Sequence, residues 1–174
     1  MSLLAVAGAN SASGGYDIDN SLKFERANNE TIQHTFDSDP TNLKKNTLSI
    51  WFKRTEIRAN QGLYQFGDDA SGEHSYIRFV ASDDRGFLRG NFGSNVQFLL
   101  TSQKFADTNA WYHLVVAWDT TQSTASNRLK VYLNGSEITA FDTDNRSNLR
   151  WVITIFVRQS CSNFEFCSVF IFAL

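Results

Sequence analysis

The chain has 174 residues, with 16 basic and 18 acidic side chains and a net charge of −2. That length fits one domain and can bury around 70% of its unfolded surface, so no staple is needed to fold it. The charge balance excludes the basic face that a nucleic acid partner needs, and gives no attraction to an anionic membrane. Aromatic residues make up 14%, with 15 Phe and a single Pro. Such residues fit the pleated, half-buried surface of a sheet.

Residues 1–20 are small and polar, and read as a flexible leader; residues 21–174 read as one domain. The apolar run near Met1 lacks the basic start and longer core of a secretory signal. No run reaches the roughly 18 apolar residues of a membrane-spanning helix. SLKF (21–24) and TIQHTF (31–36) are the first strand candidates. DSDPTNLKKN (37–46) holds the proline and is a loop. LSIWFKR (48–54) sets Leu48, Ile50 and Phe52 on one face and Ser49, Trp51 and Lys53 on the other. GLYQFG (62–67) leads into an acidic loop, DDASGEH (68–74). SYIRFVAS (75–82), GFLRGNF (86–92) and VQFLLTS (96–102) follow. Strands thus recur about every 10 residues, the rhythm of an all-β sandwich or barrel. No stretch has a 3.6-residue period.

In WYHLVVAWD (111–119), Tyr112, Leu114, Val116 and Trp118 share one face. DTTQSTASN is a polar loop. LKVYLNGSEIT (129–139) is a tight hairpin, because Asn134-Gly135 accepts the positive φ values of a type I′ turn. That turn pairs Leu133 with Ser136, Tyr132 with Glu137 and Val131 with Ile138, and a slip by one residue would set Ile138 against a polar neighbour.

The ordered set WYHLVVAWD, then LKVYLNG, resembles the laminin-G-like, concanavalin A-like jelly-roll domains. SLKF and LSIWFKR match that family's first core strands, and YQFGDD to YIRF its next hairpin. Gly15 to Phe24 and DTTQSTASNRLKVYLNG are similar to versions found in virion proteins of marine tailed bacteriophages. The resemblance covers about residues 15–147 and implies an antiparallel two-sheet β-sandwich. It implies a non-catalytic adhesion role, on a tail fibre or as a capsid decoration. The partners would then be other virion proteins or further copies of the chain in an assembly, together with cell-surface glycans. The alternative role is a secreted, extracellular lectin-like module with calcium at its rim. The fold alone does not decide between them.

The end departs from the family. NLRWVITIFVRQSCSNFEFCSVFIFAL lacks the Gly-containing closing strand, and composition shifts near Leu149. Residues 151–174 are either divergent closing strands or the product of a shifted reading frame, which would leave an open apolar edge. Cys161 and Cys167 lie here and lack the spacing of a zinc or redox motif.

No carboxylate pair lies on a strand with the spacing that glycoside hydrolysis needs; Asp17-x-Asp19 is in the leader. There is no GxSxG or HExxH motif, and the chain reads as no enzyme. Three N-x-S/T sequons begin at Asn29, Asn134 and Asn145. His34 and His74 stand alone, and His113 reads as a hydrogen-bonded sheet histidine. For ligand binding the candidates are Trp51 and Tyr64, which alternate away from the apolar faces of their strands, with Asp68 and Asp69 beside them. The competing reading buries both rings. For calcium, which needs six to eight oxygen ligands, the candidates are Asp68, Asp69, Glu73 and Asp119, with Asp83 and Asp84 forming another acidic turn. Trp111 and Trp118 read as packing residues.

Overall fold

A computed structural model of the chain describes residues 22–24, 42, 44–68, 73–92, 95–146 and 169–173. The leader, TIQHTF, WVITIFVR, both cysteines and Asp69 lie outside the described residues.

The strands, in chain order, are β1 (Leu22–Lys23), β2 (Lys45–Arg54), β3 (Gln61–Asp68), β4 (Glu73–Phe79), β5 (Arg85–Phe92), β6 (Asn95–Lys104), β7 (Tyr112–Asp119), β8 (Leu129–Leu133), β9 (Ser136–Glu137), β10 (Phe141–Asn145) and β11 (Val169–Ala173). One helical turn, α1 (Ala125–Arg128), sits in the segment expected to be a polar loop. The helix is too short to show as a period in sequence. β10 was not expected either: FDTDN offers only two-residue alternation of a single apolar side chain.

The strands form two antiparallel sheets. One runs β1-β11-β2-β7-β8-β9 and the other β10-β6-β5-β4-β3. This is the expected β-sandwich, laid down by two-residue periodicity. Burial along β7 alternates strictly, with Tyr112, Leu114, Val116 and Trp118 buried. Ile50 and Phe52 of β2 and Leu129, Val131 and Leu133 of β8 complete that inner face. Leu63, Ile77, Phe79, Leu88 and Leu99 meet them from the second sheet. Each such side chain, fully buried, contributes about 1.5–3 kcal/mol.

The hairpin forms as its sequence requires. Tyr132 pairs with Glu137 and Leu133 with Ser136. Ile138 N donates to Val131 O (2.8 Å), and Asn134 and Gly135 take φ values of 49° and 83°.

The tail supplies a strand inside the sheet. β11 lies between β1 and β2, antiparallel to both, with residues 169–173 set against Arg54 through Ile50. The position beside the first strand is therefore filled by the phenylalanine-rich segment itself.

One end of the sandwich is fastened by a buried ion pair. Arg54 closes β2 and is fully buried. Its Nε donates to Gln61 Oε1 (2.7 Å) and its Nη1 to Phe105 O (2.6 Å). Nη2 lies 2.9 Å from Asp84 Oδ1, an ion pair rather than an aligned hydrogen bond. The guanidinium also stands over the Phe79 ring, 4.5 Å from its centre. Phe52, Phe79, Phe105 and Tyr112 pack around this end with ring centres 5.1–6.2 Å apart. Asp84 also accepts from Arg58 N (2.6 Å). Arg58 and Asp84 both have left-handed backbones, at φ 59° and 63°. Each such conformation costs about 1–2 kcal/mol for an L-residue. The buried pair holds two loops in place against that strain.

Among the described residues no helix is long and apolar enough to cross a membrane.

Candidate ligand-binding face

The solvent side of the six-stranded sheet carries the side chains that β2 and β7 turn away from the core. Trp51 and His113 are directly opposed in register. Their rings stack 4.7 Å apart and 9° from parallel. A hydrogen bond of 2.9 Å joins Ser49 Oγ and His113 Nε2. His113 is thus the sheet-bound histidine expected from its alternation. Its backbone is tied to the hairpin as well: His113 N donates to Asn134 Oδ1 and Asn134 N to His113 O, each at 2.8 Å. The stack is half-buried, so one face of an aromatic surface is held rigid and the remainder meets water. Tyr132 of β8, half-buried, stands opposite both Val115 and Glu137.

Trp111 corrects its expected packing role. It precedes β7 by one residue, on the same outward parity as His113, and is 39% exposed. Trp118, on the inward parity, is buried as expected.

Tyr64 does not join this face. A β-bulge between Gly62 and Tyr64 shifts the β3 register, so Tyr64 pairs with Ile77 and packs against the core. Burial pushes its phenol up to about 12. A bulge inserts one residue and so inverts the alternation beyond it, which is why parity counted from sequence misplaces this ring.

The acidic candidates separate. Asp68 ends β3 and Glu73 opens β4, and the two are paired in register. Asp119 lies in the other sheet, at the end of β7, and its oxygens are already engaged. They accept from Thr121 N (3.1 Å), Thr121 Oγ1 (2.5 Å) and Gln122 Nε2 (2.8 Å), and Lys45 Nζ lies 3.1 Å away. Asp119, the last residue of β7, carries a cation of its own and caps the turn that follows. The Thr121 hydroxyl first, and then Gln122, hold its carboxyl well below the usual carboxylate range.

A depressed folded pKa stabilises above the unfolded value, about 3.9, and that stability is lost as pH falls. Urea midpoints measured from neutral pH downward are therefore expected to fall below about pH 4. Asp119→Asn is expected to flatten that acid limb; an unchanged slope would assign it to other carboxylates.

Asp83 and Asp84 are arginine partners. Arg85 Nη2 lies 2.6 Å from Asp83, and Arg54 and Arg58 share Asp84. Among the described residues no three His, Cys, Asp or Glu side chains gather as a metal site.

An all-antiparallel jelly-roll sandwich with an aromatic stack on its solvent face defines a laminin-G-like module. The family model of the concanavalin A-like lectin/glucanases superfamily, Laminin_G_3, matches residues 9–161. The chain belongs to that family. Among solved structures it is similar to the mouse laminin alpha1 chain, domains LG4-5, with a TM-score of 0.57 and 10% identity. The match covers 90% of this chain and 41% of that one, so the chain spans less than half of its structural relative. At that identity the likeness carries the fold alone. No curated protein matches the sequence.

Proposed function

We propose that the chain is a non-catalytic adhesion module that grips glycans through its Trp51–His113 face and is displayed on a virion surface, on a tail fibre or as a capsid decoration. The observation that carries the glycan reading is the half-buried stack of Trp51 on His113, braced by Ser49. A ring held flat and half open to water can pack against the apolar side of a pyranose, while nearby polar groups take its hydroxyls. Membership of a lectin and glucanase superfamily supports the same ligand class. The non-catalytic part is supported by the arginine pairing of Asp83 and Asp84, which commits both carboxylates to structural contacts. The virion setting is supported by the resemblance of Gly15 to Phe24 and of Asp119 to Gly135 to tailed-phage proteins. Weak single contacts would be multiplied there by many copies, through the other virion proteins or copies it assembles with.

Retention on immobilised glycans tests the face. Trp51→Ala is expected to weaken retention about tenfold, a change of ~1.4 kcal/mol, with melting little altered because the ring is not in the core. Unchanged retention would overturn the reading, and release of sugar from any polysaccharide would overturn its non-catalytic part. Antibody labelling of intact virions tests the setting.

A second reading, an extracellular lectin with rim calcium, is favoured by the pairing of Asp68 with Glu73 in register. It requires calcium to raise the melting temperature.

A further inference from the structure

Beside the β8–β9 hairpin a groove of about 440 Å³ opens between the edge of one sheet and the end of β6 in the other. We infer that this groove is a saccharide subsite that takes one neutral pyranose unit and selects which glycan the Trp51–His113 face holds. The inference rests on the glycan reading of that face.

The volume lies within the 300–1,000 Å³ of ordinary small-molecule sites. Gln103, Asn134, Glu137 and Thr139 give the groove its polar groups, and Leu133 and Ile138 its apolar wall. A primary amide offers a donor and an acceptor side by side, and a carboxylate offers two acceptors. Together they match adjacent hydroxyls of a sugar ring, each of which both donates and accepts. Asn134 gives its Oδ1 to His113 N, so its amide hydrogens are what it can offer a ligand. The lining holds one carboxylate and no Lys or Arg. That field opposes acidic sugars and admits neutral ones. Lys130 Nζ lies 3.3 Å from Glu137 Oε2 across an exposed surface. Such a contact is worth about 0–1 kcal/mol and yields readily to a ligand.

The walls are preorganised. The type I′ turn fixes Asn134, Ile138 N is bonded to Val131 O, and Ser102 N donates to Ala140 O (3.2 Å), extending the β6–β10 pairing by one rung. A rigid groove loses little freedom when a ligand enters. It also adjoins the strand that carries the stack, since Asn134 and His113 exchange two hydrogen bonds. A glycan of two or more units can therefore lie on the stack and turn its end into the groove.

The test uses the full chain and a panel of glucose, galactose, mannose and N-acetylglucosamine oligosaccharides, with uronic-acid and sialylated ones as the charged arm. Thr139→Trp fills the groove at an exposed position, and Gln103→Ala removes its amide. Both are expected to lose tenfold or more in affinity for their preferred neutral glycan with melting unchanged. In the wild type the side-chain amide resonances of Gln103 and Asn134 are expected to shift as that glycan is titrated. If Trp51→Ala loses retention while both groove variants keep the wild-type profile, the subsite is overturned and the face stands. If the groove variants lose retention while Trp51→Ala does not, the face is overturned, and with it the selection by the groove of what that face holds. Preference for the charged arm overturns the neutral selection, and a wild type that binds nothing in the panel overturns both.

Discussion

Replacing Arg54 with Met is expected to cost about 3–5 kcal/mol of stability, because it removes the buried partner of Asp84 and leaves that buried charge only the exposed Arg58. Both groups are out of solvent, at 0% and 2% exposure. Desolvation draws the Arg54 pKa down, opposed by Asp84, yet a guanidinium stays protonated in a protein. Met fills the same length of chain, so the loss reads charge and hydrogen bonding more than volume. The substitution also leaves Gln61 Oε1 and Phe105 O without the donors they have now. Asp84→Asn is expected to be harmful for the mirror reason, although Asn tolerates the left-handed backbone there. The double variant is expected to lose less than the two single losses added, since it removes both charges together. Urea unfolding of the four proteins measures this. A loss under about 1 kcal/mol for Arg54→Met would show that the pair is solvated in solution, as surface pairs of that worth are.

Ending the chain after Ser168 is expected to abolish the folded monomer. It removes β11, which pairs five residues of β2 on one side and carries β1 on the other. β2 is the strand that delivers Ile50, Phe52 and Arg54 to the interior, and it would become an uncovered edge. The loss is on the order of 5 kcal/mol, comparable with the whole stability of many domains. The exposed ladder is also a template for pairing between chains. Circular dichroism and light scattering read the two effects, as lost structure and gained mass. A truncated chain that melts like the full one and stays monomeric would show that the tail is foreign to the fold. Reading the encoding nucleotides in the neighbouring frame gives an independent answer: recovery of a Gly-containing closing strand there would mark the tail as frame-shifted.

What could be read from the sequence was whatever depends on neighbours along the chain. Asn134-Gly135 fixes its own turn, and the turn fixes the pairing of Val131 with Ile138. Alternation in WYHLVVAWD fixes which residues of β7 enter the core. Trp51 was legible as an outward residue for the same reason. Three features depended on distant partners and were not legible. The bulge beside Gly62 reverses the parity of Tyr64; a glycine inside a strand hints at a bulge, but not at which neighbour turns inward. Asp83 and Asp84 resemble metal-binding turns until Arg54, Arg58 and Arg85 are brought against them. Asp119 looks available until Lys45, on the neighbouring strand, is placed beside it. The groove at the hairpin belongs with these, because Gln103 and Glu137 come to line one groove only when two sheets are stacked.

The antiparallel pairing of β1 with β11 sets how the sandwich responds to mechanical load. Leu22 is opposite Ile171 and Lys23 opposite Phe170, so the chain enters β1 and leaves β11 at the same corner. A tether pulling on both flanks would peel this seam open one rung at a time, the weakest way to load a ladder of hydrogen bonds. Under tension, the closing seam would give way before the hairpin and its groove, which are anchored at the opposite margin of the same sheet.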